Sequence, residues 1–121
     1  MRNGSATVAA RIASELGGGT ADEVARRLRV LGHPSRLALV VELAAGARYV
    51  AELAAVTGLD PAAASKHLRE LQRASVVVRR QDGTHASYAL ADATTLKVML
   101  LVARSIHAET AHLAAVLRVS P

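Results

Sequence analysis

Among its 121 residues the chain has no cysteine, no tryptophan and no phenylalanine, and two tyrosines supply its whole aromatic fraction. The missing cysteine removes disulfides, thiolate nucleophiles, thiol redox switches and every sulfur-ligated metal centre, so any metal must rest on His, Asp or Glu. Long apolar runs are missing too. The longest, residues 98–103, is far short of the roughly 20 residues a membrane-spanning helix needs. Met1-Arg2-Asn3-Gly4 leads into no secretory apolar stretch, so a cytoplasmic protein with no membrane partner is expected. Catalytic machinery is equally sparse. Gly17-Gly18-Gly19 lies between two helical segments rather than after a strand, where it cannot cradle a phosphate as nucleotide-binding loops do, and no catalytic pair of acids stands out. An enzyme is not expected.

Acidic residues are the minority, 10 against 15 lysines and arginines, for a formal charge of +5. Such an excess favours a polyanionic partner if it is concentrated in one place. Apolar residues make up 51%, enough for one small domain. A core built from Ala, Leu and Val without large aromatics tends to be completed by dimerisation.

The apolar spacing divides the chain into three parts. Residues 1–19 hold a short arm helix, with Val8, Ile12 and Leu16 on one face and the glycine triplet as its stop. Residues 20–92 form a core that opens with Thr20-Ala21-Asp22-Glu23, a capping-box pattern, and a helix to about Leu31. Gly32-His33-Pro34 breaks that helix, and a third runs on until Gly46. A short helix closed by Gly58 is followed by Asp60-Pro61, an N-cap and a helix-compatible proline, which start a helix reaching about Ala74. Two helices joined by Thr57-Gly58-Leu59-Asp60 make a helix-turn-helix. The period then falls from 3.6 to 2, and Asp82-Gly83 between two β-prone runs predicts a hairpin. The expected fold class is therefore mainly α with a small β-hairpin, a winged helix-turn-helix.

Residues 93–121 form the third part. Neither Gly nor Pro interrupts residues 93–119, and Leu96, Met99, Ala103, Ile106, Thr110, Leu113 and Leu117 recur at spacings of three and four. A helix of about 26 residues, ~39 Å long, exceeds what so small a monomer can cover. Its stripe calls for a second copy of the same helix, giving a homodimer.

The positive charge is localised. Residues 61–80 carry Lys66, Arg69, Arg73, Arg79 and Arg80 against Glu70 alone. Ala64, Leu68 and Leu71 share one helical face, while Ser65, Lys66, Arg69, Gln72 and Arg73 lie opposite. That polar face suits a DNA major groove. Arginine forks onto guanine, Ser and Gln reach base edges, Lys and the outer arginines neutralise phosphates, and the small Ala62 and Ala63 allow close approach. Arg79, Arg80 and His85 would form a cationic wing beside the groove. Arg36 is a candidate phosphate contact or a local structural group. His33 reads as local structure, and His67 as a packing or phosphate-contact residue.

These motifs together resemble the ArsR/SmtB family of bacterial winged-helix repressors. Leu31-Gly32-His33-Pro34-Ser35-Arg36-Leu37 resembles its opening signature, Ser65-Lys66-His67-Leu68-Arg69-Glu70-Leu71 its recognition helix, and the path from Val76-Val77 through Asp82-Gly83 to Tyr88-Ala89-Leu90 its wing. The resemblance implies a homodimer paired through its first and last helices, bound to double-stranded DNA at an imperfect palindromic operator and released by an inducer. Ser75 stands where the family usually has Gly, and Thr84 where it often has Arg. The family's cysteine-based metal motif is absent. Of its other common metal pattern, Asp-x-His at the start of the last helix, Asp92 is kept and the His is not.

The last helix does carry His107-Ala108-Glu109-Thr110-Ala111-His112. Glu109 and His112 share a face, and His107 lies about 140° round from His112. Two antiparallel subunits would combine Glu109 and His112 of one with Asp92 or His107 of the other into a nitrogen and oxygen site suited to nickel, cobalt or zinc. The same residues fit an ordinary solvated helix face. A different small effector, a co-regulator protein, or a winged helix serving only protein interaction are the alternatives left open.

Overall fold

The structure, a computed structural model, describes residues 4–119. Residues 1–3, where the expected arm and the Met1-Arg2-Asn3 lead begin, and residues 120–121, at the end of the expected last part, lie outside the described residues. The elements run α1 (Gly4–Glu15), α2 (Thr20–Leu31), α3 (Pro34–Leu43), β1 (Arg48–Tyr49), α4 (Val50–Thr57), α5 (Pro61–Arg73), β2 (Val77–Asp82), β3 (His85–Leu90) and α6 (Thr94–Val119). This is the expected mainly helical architecture with a small open sheet.

Local chemistry explains most boundaries. Gly58 takes the left-handed conformation that closes α4, at φ 73°, and Pro61 occupies the first turn of α5, where its missing N–H costs nothing. The hairpin turn sits one residue later than Asp82-Gly83. Asp82 pairs with His85 in the ladder, so Gly83-Thr84 is the two-residue connection. Only its first residue has positive φ, 62° at Gly83, the pattern of a II′ turn, which demands glycine there. The Thr20–Glu23 capping box does not form. Gly19, not Thr20, is the N-cap, with no side-chain cap bond, which moves Glu23 out of the box's third position, and its carboxylate accepts from Arg26 and Arg27 instead.

One strand escaped the periodicity. The two-residue β1 pairs antiparallel with β3, Arg48 opposite Tyr88 and Tyr49 opposite Ser87, giving the sheet order β1-β3-β2. The core gathers Leu31 of α2, Leu39, Val40 and Leu43 of α3, Leu53 of α4, Leu68 and Leu71 of α5, and Val77 and Tyr88 of the wing base. Leu96 and Met99 at the start of α6 pack partly against it. Beyond them α6 leaves the core, and α1 buries no residue at all.

Candidate nucleic-acid interface

The helix-turn-helix unit is α4 and α5, and α5 is fixed at both ends. At its start the Asp60 carboxylate accepts from the Ala62 and Ala63 amides at 3.1 and 3.4 Å. At its end the Ser75 amide donates to the Gln72 carbonyl and the Val76 amide to the Leu71 carbonyl, a Schellman closure with Val76 and Leu71 both in the core. That closure needs a left-handed residue, and Ser75 provides it at φ 61°. The conformational demand accounts for glycine being usual at this position in the family the sequence resembles.

Between these ends α5 buries Ala64, Leu68 and Leu71 and exposes Lys66, Arg69, Gln72 and Arg73 on the opposite face. Ala62 is exposed, and Ala63 and Ser65 are half-buried on its first turns. Arg73 donates to Glu70 at 2.5 Å along its own helix. Lys66 and Arg69 form no ion pair among the described residues. Their charge is therefore available to a phosphate or a base edge. A brace from α2 holds the far end: Glu23 grips Arg26 at 2.6 Å, and Arg26 donates to the Arg73 carbonyl at 2.8 Å. The two arginines on Glu23 pull its carboxyl down to about 2. Cation meeting carbonyl at a helix C-terminus is also the favourable sign for the helix dipole.

The wing is tied to β1 at its tip. The Tyr49 hydroxyl donates to Asp82 at 2.7 Å, the anionic neighbour raising the phenol's pKa, and the His85 ring meets the Tyr49 ring edge-on at 5.8 Å. Arg79 donates to Gln81, which in turn donates to the Gly83 carbonyl. Neighbouring strand residues point to opposite faces, so Arg79, opposite Tyr88, and Arg80, opposite Ser87, project to the two sides of the wing. Both are exposed, as is His85.

Arg36 lies elsewhere. It is half-buried, donating through Nη1 to the Val30 carbonyl at 3.2 Å and through Nε to Nδ1 of His67 at 3.1 Å. The His67 ring lies 4.5 Å from that of His33, whose Nδ1 accepts the Ser35 amide and caps α3. Burial pushes the His67 pKa down, and the neighbouring His33, Arg36 and Lys66 add to it.

The candidate metal residues are not brought together within one chain. His107, Glu109 and His112 are exposed on α6, whereas Asp92 accepts the Thr94 amide at 2.8 Å to cap that helix, a bond that holds its carboxyl below the usual range. The helical rise places Asp92 roughly 20 Å from His107. No group of three or more His, Asp or Glu side chains suited to a metal occurs among the described residues. Of the stripe expected to pair subunits, Leu96, Met99 and Ala103 are half-buried, while Ile106, Thr110, Leu113 and Leu117 are exposed, as are Val8 and Ile12 of α1. Among the described residues no helix is long and apolar enough to cross a membrane.

The Tyr49–Asp82, Arg26–Arg73 and Arg36–His67 contacts were not anticipated. Each joins side chains from elements whose approach is set by tertiary packing, and only the His33 to Arg36 signature hinted at one of them.

A helix-turn-helix domain family matches residues 31–80. The HTH-type transcriptional regulator NmtR of Mycobacterium tuberculosis is 36% identical over 93 residues, 77% of this chain and 76% of that protein. Among solved structures, the homodimeric winged helix-turn-helix DNA-binding domain of Mb0332 from Mycobacterium bovis, titled a possible ArsR-family transcriptional regulator, superposes with a TM-score of 0.68. It is 30% identical, and the match covers 76% of this chain and 85% of that one. The transcriptional repressor BigR from Xylella fastidiosa superposes at 0.62 with 32% identity, covering 68% of this chain and 84% of its own.

Proposed function

We propose, from the premise that this chain belongs to the ArsR/SmtB family of winged helix-turn-helix transcriptional regulators, that it acts as a homodimeric repressor reading an imperfect palindrome with α5. The family is one of DNA-binding regulators, not enzymes. The observation that carries the reading is the polar face of α5, where the exposed Lys66, Arg69 and Gln72 and the half-buried Ser65 stand opposite a fully buried apolar face. Arg69 is assigned to a guanine edge, Ser65 and Gln72 to neighbouring base edges, and Lys66, Arg73, Arg79, Arg80 and His85 to phosphates. Ala62 and Ala63 let the helix start approach the groove floor.

The second subunit is assigned to the apolar surface of α1 and α6. A groove of about 440 Å³ runs between α2 and α6, lined by Leu28, Leu31, Leu37, Val98, Met99 and Ile106, and Val8 and Ile12 lie exposed on α1. A two-fold dimer closing on these faces would place its α5 helices at half-sites about 34–36 Å apart, one turn of DNA.

Regulation follows by linkage, since an effector favouring the DNA-incompetent dimer lowers DNA affinity by the factor it gains. The metal reading, nickel, cobalt or zinc, rests on His107, Glu109 and His112, which have no hydrogen bond or ion pair among the described residues, with donors from the partner completing the set. The competing reading is a non-metal effector or a partner protein. Fluorescence anisotropy on the DNA upstream of the protein's own gene, with competitor DNA present, tests all of this. Specific binding altered by one of the three metals supports a metal sensor. Specific binding indifferent to them keeps the repressor and removes the metal, and sequence-indifferent binding favours an interaction module.

A further inference from the structure

We propose that Arg36 is a positioning residue for DNA recognition, acting from behind α5 through His67 and never touching DNA itself. The proposal rests on α5 being the helix that reads DNA. From the first turn of α3, one guanidinium joins three helices: it donates to the Val30 carbonyl in the last turn of α2 and to His67 Nδ1 in the middle of α5. His67 stands between Lys66 and Leu68, one helical turn or less from Arg69. Its placement therefore fixes how the polar face of α5 is rotated about the helix axis. A bidentate base contact tolerates displacements of only about 0.5 Å before it weakens. With Nε and Nη1 both bonded inward and the side chain half-buried, Arg36 is poorly disposed to reach a phosphate.

The bonding also fixes the protonation of the cluster. His67 Nδ1 accepts from Arg36, a bond that needs a neutral His67 ring with its proton on Nε2, and His33 Nδ1 accepts from the Ser35 amide. Protonating His67 puts a second N–H where the Arg36 donor already points and breaks the bond. The charged and titratable groups that act on His67 are His33 from the joint before α3, Arg36 from α3 and Lys66 from its own helix, all basic. Together with burial they keep the ring neutral at pH 7 and make acid, not base, the condition that releases α5.

The test measures binding of the full chain to the upstream DNA and to random DNA, across salt and between pH 7.5 and 5.5. Arg36→Gln and His67→Leu are expected to lower specific binding at least tenfold, leaving binding to random DNA and the salt slope unchanged. His67→Asn, whose amide oxygen replaces Nδ1 as acceptor but does not titrate, is expected to bind like wild type at pH 7.5. The wild-type ratio of specific to random binding should fall several-fold toward pH 5.5, and that of His67→Asn should stay flat. Nitrogen NMR of the wild-type histidines should show the Nε2–H tautomer for His67. Loss of specific and random binding alike in Arg36→Gln, with a salt slope smaller by about one, would make Arg36 a phosphate contact and overturn the proposal. A His67→Asn pH profile that follows wild type would overturn it too, and this arm decides the matter should Arg36→Gln fail to fold. If Arg69→Ala destroys specific binding and Arg36→Gln does not, only this proposal falls. If the wild type shows no sequence preference, the reading of α5 falls and takes the proposal with it.

Discussion

In α5, 13 residues long, Ala64, Leu68 and Leu71 are fully buried within the chain. In α6, twice that length, no described side chain is buried, and Ile106, Leu113 and Leu117 remain 53–64% exposed. Both helices are amphipathic, yet only α5 finds within its own chain the surface its apolar side requires. A helix whose apolar face is satisfied leaves its polar face as the informative one, and on α5 that face is cationic. A helix whose apolar face is left open points instead to something that covers it. On the function proposed above, the two helices divide the work, α5 turned to nucleic acid and α6 to a second subunit.

The contrast breaks most severely from the α5 side. Leu68→Ala removes a side chain with no solvent exposure and should cost about 2–5 kcal/mol through lost burial and the cavity left behind. Urea unfolding should show it as a lower midpoint at unchanged slope. On α6, Ile106→Glu is expected to leave the helical content of the domain intact by circular dichroism. Because a two-fold interface receives each substitution twice, it should weaken self-association on the order of 100-fold or more in sedimentation equilibrium. If Ile106→Glu unfolds the domain while Leu68→Ala does not, the division drawn between the two helices is wrong.

Much of this was legible in the sequence. Asp60-Pro61, Gly58 and the uninterrupted 26-residue stretch mark their helices because caps and breakers act locally, within a turn of the residue that carries them. The cationic face of α5 was equally plain, since periodicity alone separates Lys66 and Arg69 from Leu68 and Leu71. What the sequence hid depends on distance. The strand β1 is two residues whose ladder partners are Tyr88 and Ser87, about 40 positions on. The Thr20–Glu23 pattern satisfied its local rule, yet Gly19 takes the N-cap and Glu23 instead binds Arg26, which also braces α5. Likewise, the stripe on α6 reads as one surface, yet Leu96 and Met99 belong partly to the chain's own core. No spacing rule says where a helix leaves its domain.

A finer test separates two kinds of cation at the DNA side. Arg69→Ala should cost about 1–3 kcal/mol on the specific site and blur preference at one base position, whereas Arg79→Ala should weaken all sequences alike and reduce the salt slope by about one. Binding titrations on matched and mutated sites across salt distinguish them. Equal and uniform losses for both would remove base reading from Arg69 and leave α5 a phosphate clamp.

The smallest expected effect sharpens the comparison without cutting any contact. Ser75 ends α5 with φ at 61°, where a residue with a Cβ carries strain that glycine does not, of order 1–2 kcal/mol. Glycine gives back part of that gain by loosening the unfolded chain. Ser75→Gly should therefore stabilise the domain by about 0.5–1 kcal/mol in urea unfolding. The Schellman bonds from residues 75 and 76 to Gln72 and Leu71 are backbone bonds and survive the change. Self-association measured on the same variant should not move, because Ser75 closes α5 and belongs to neither α1 nor α6. A gain in stability with an unchanged dimerisation constant would show that α5 can be tuned apart from the α1 and α6 surface. A loss of stability would mean that the Ser75 hydroxyl contributes more than its backbone strain costs.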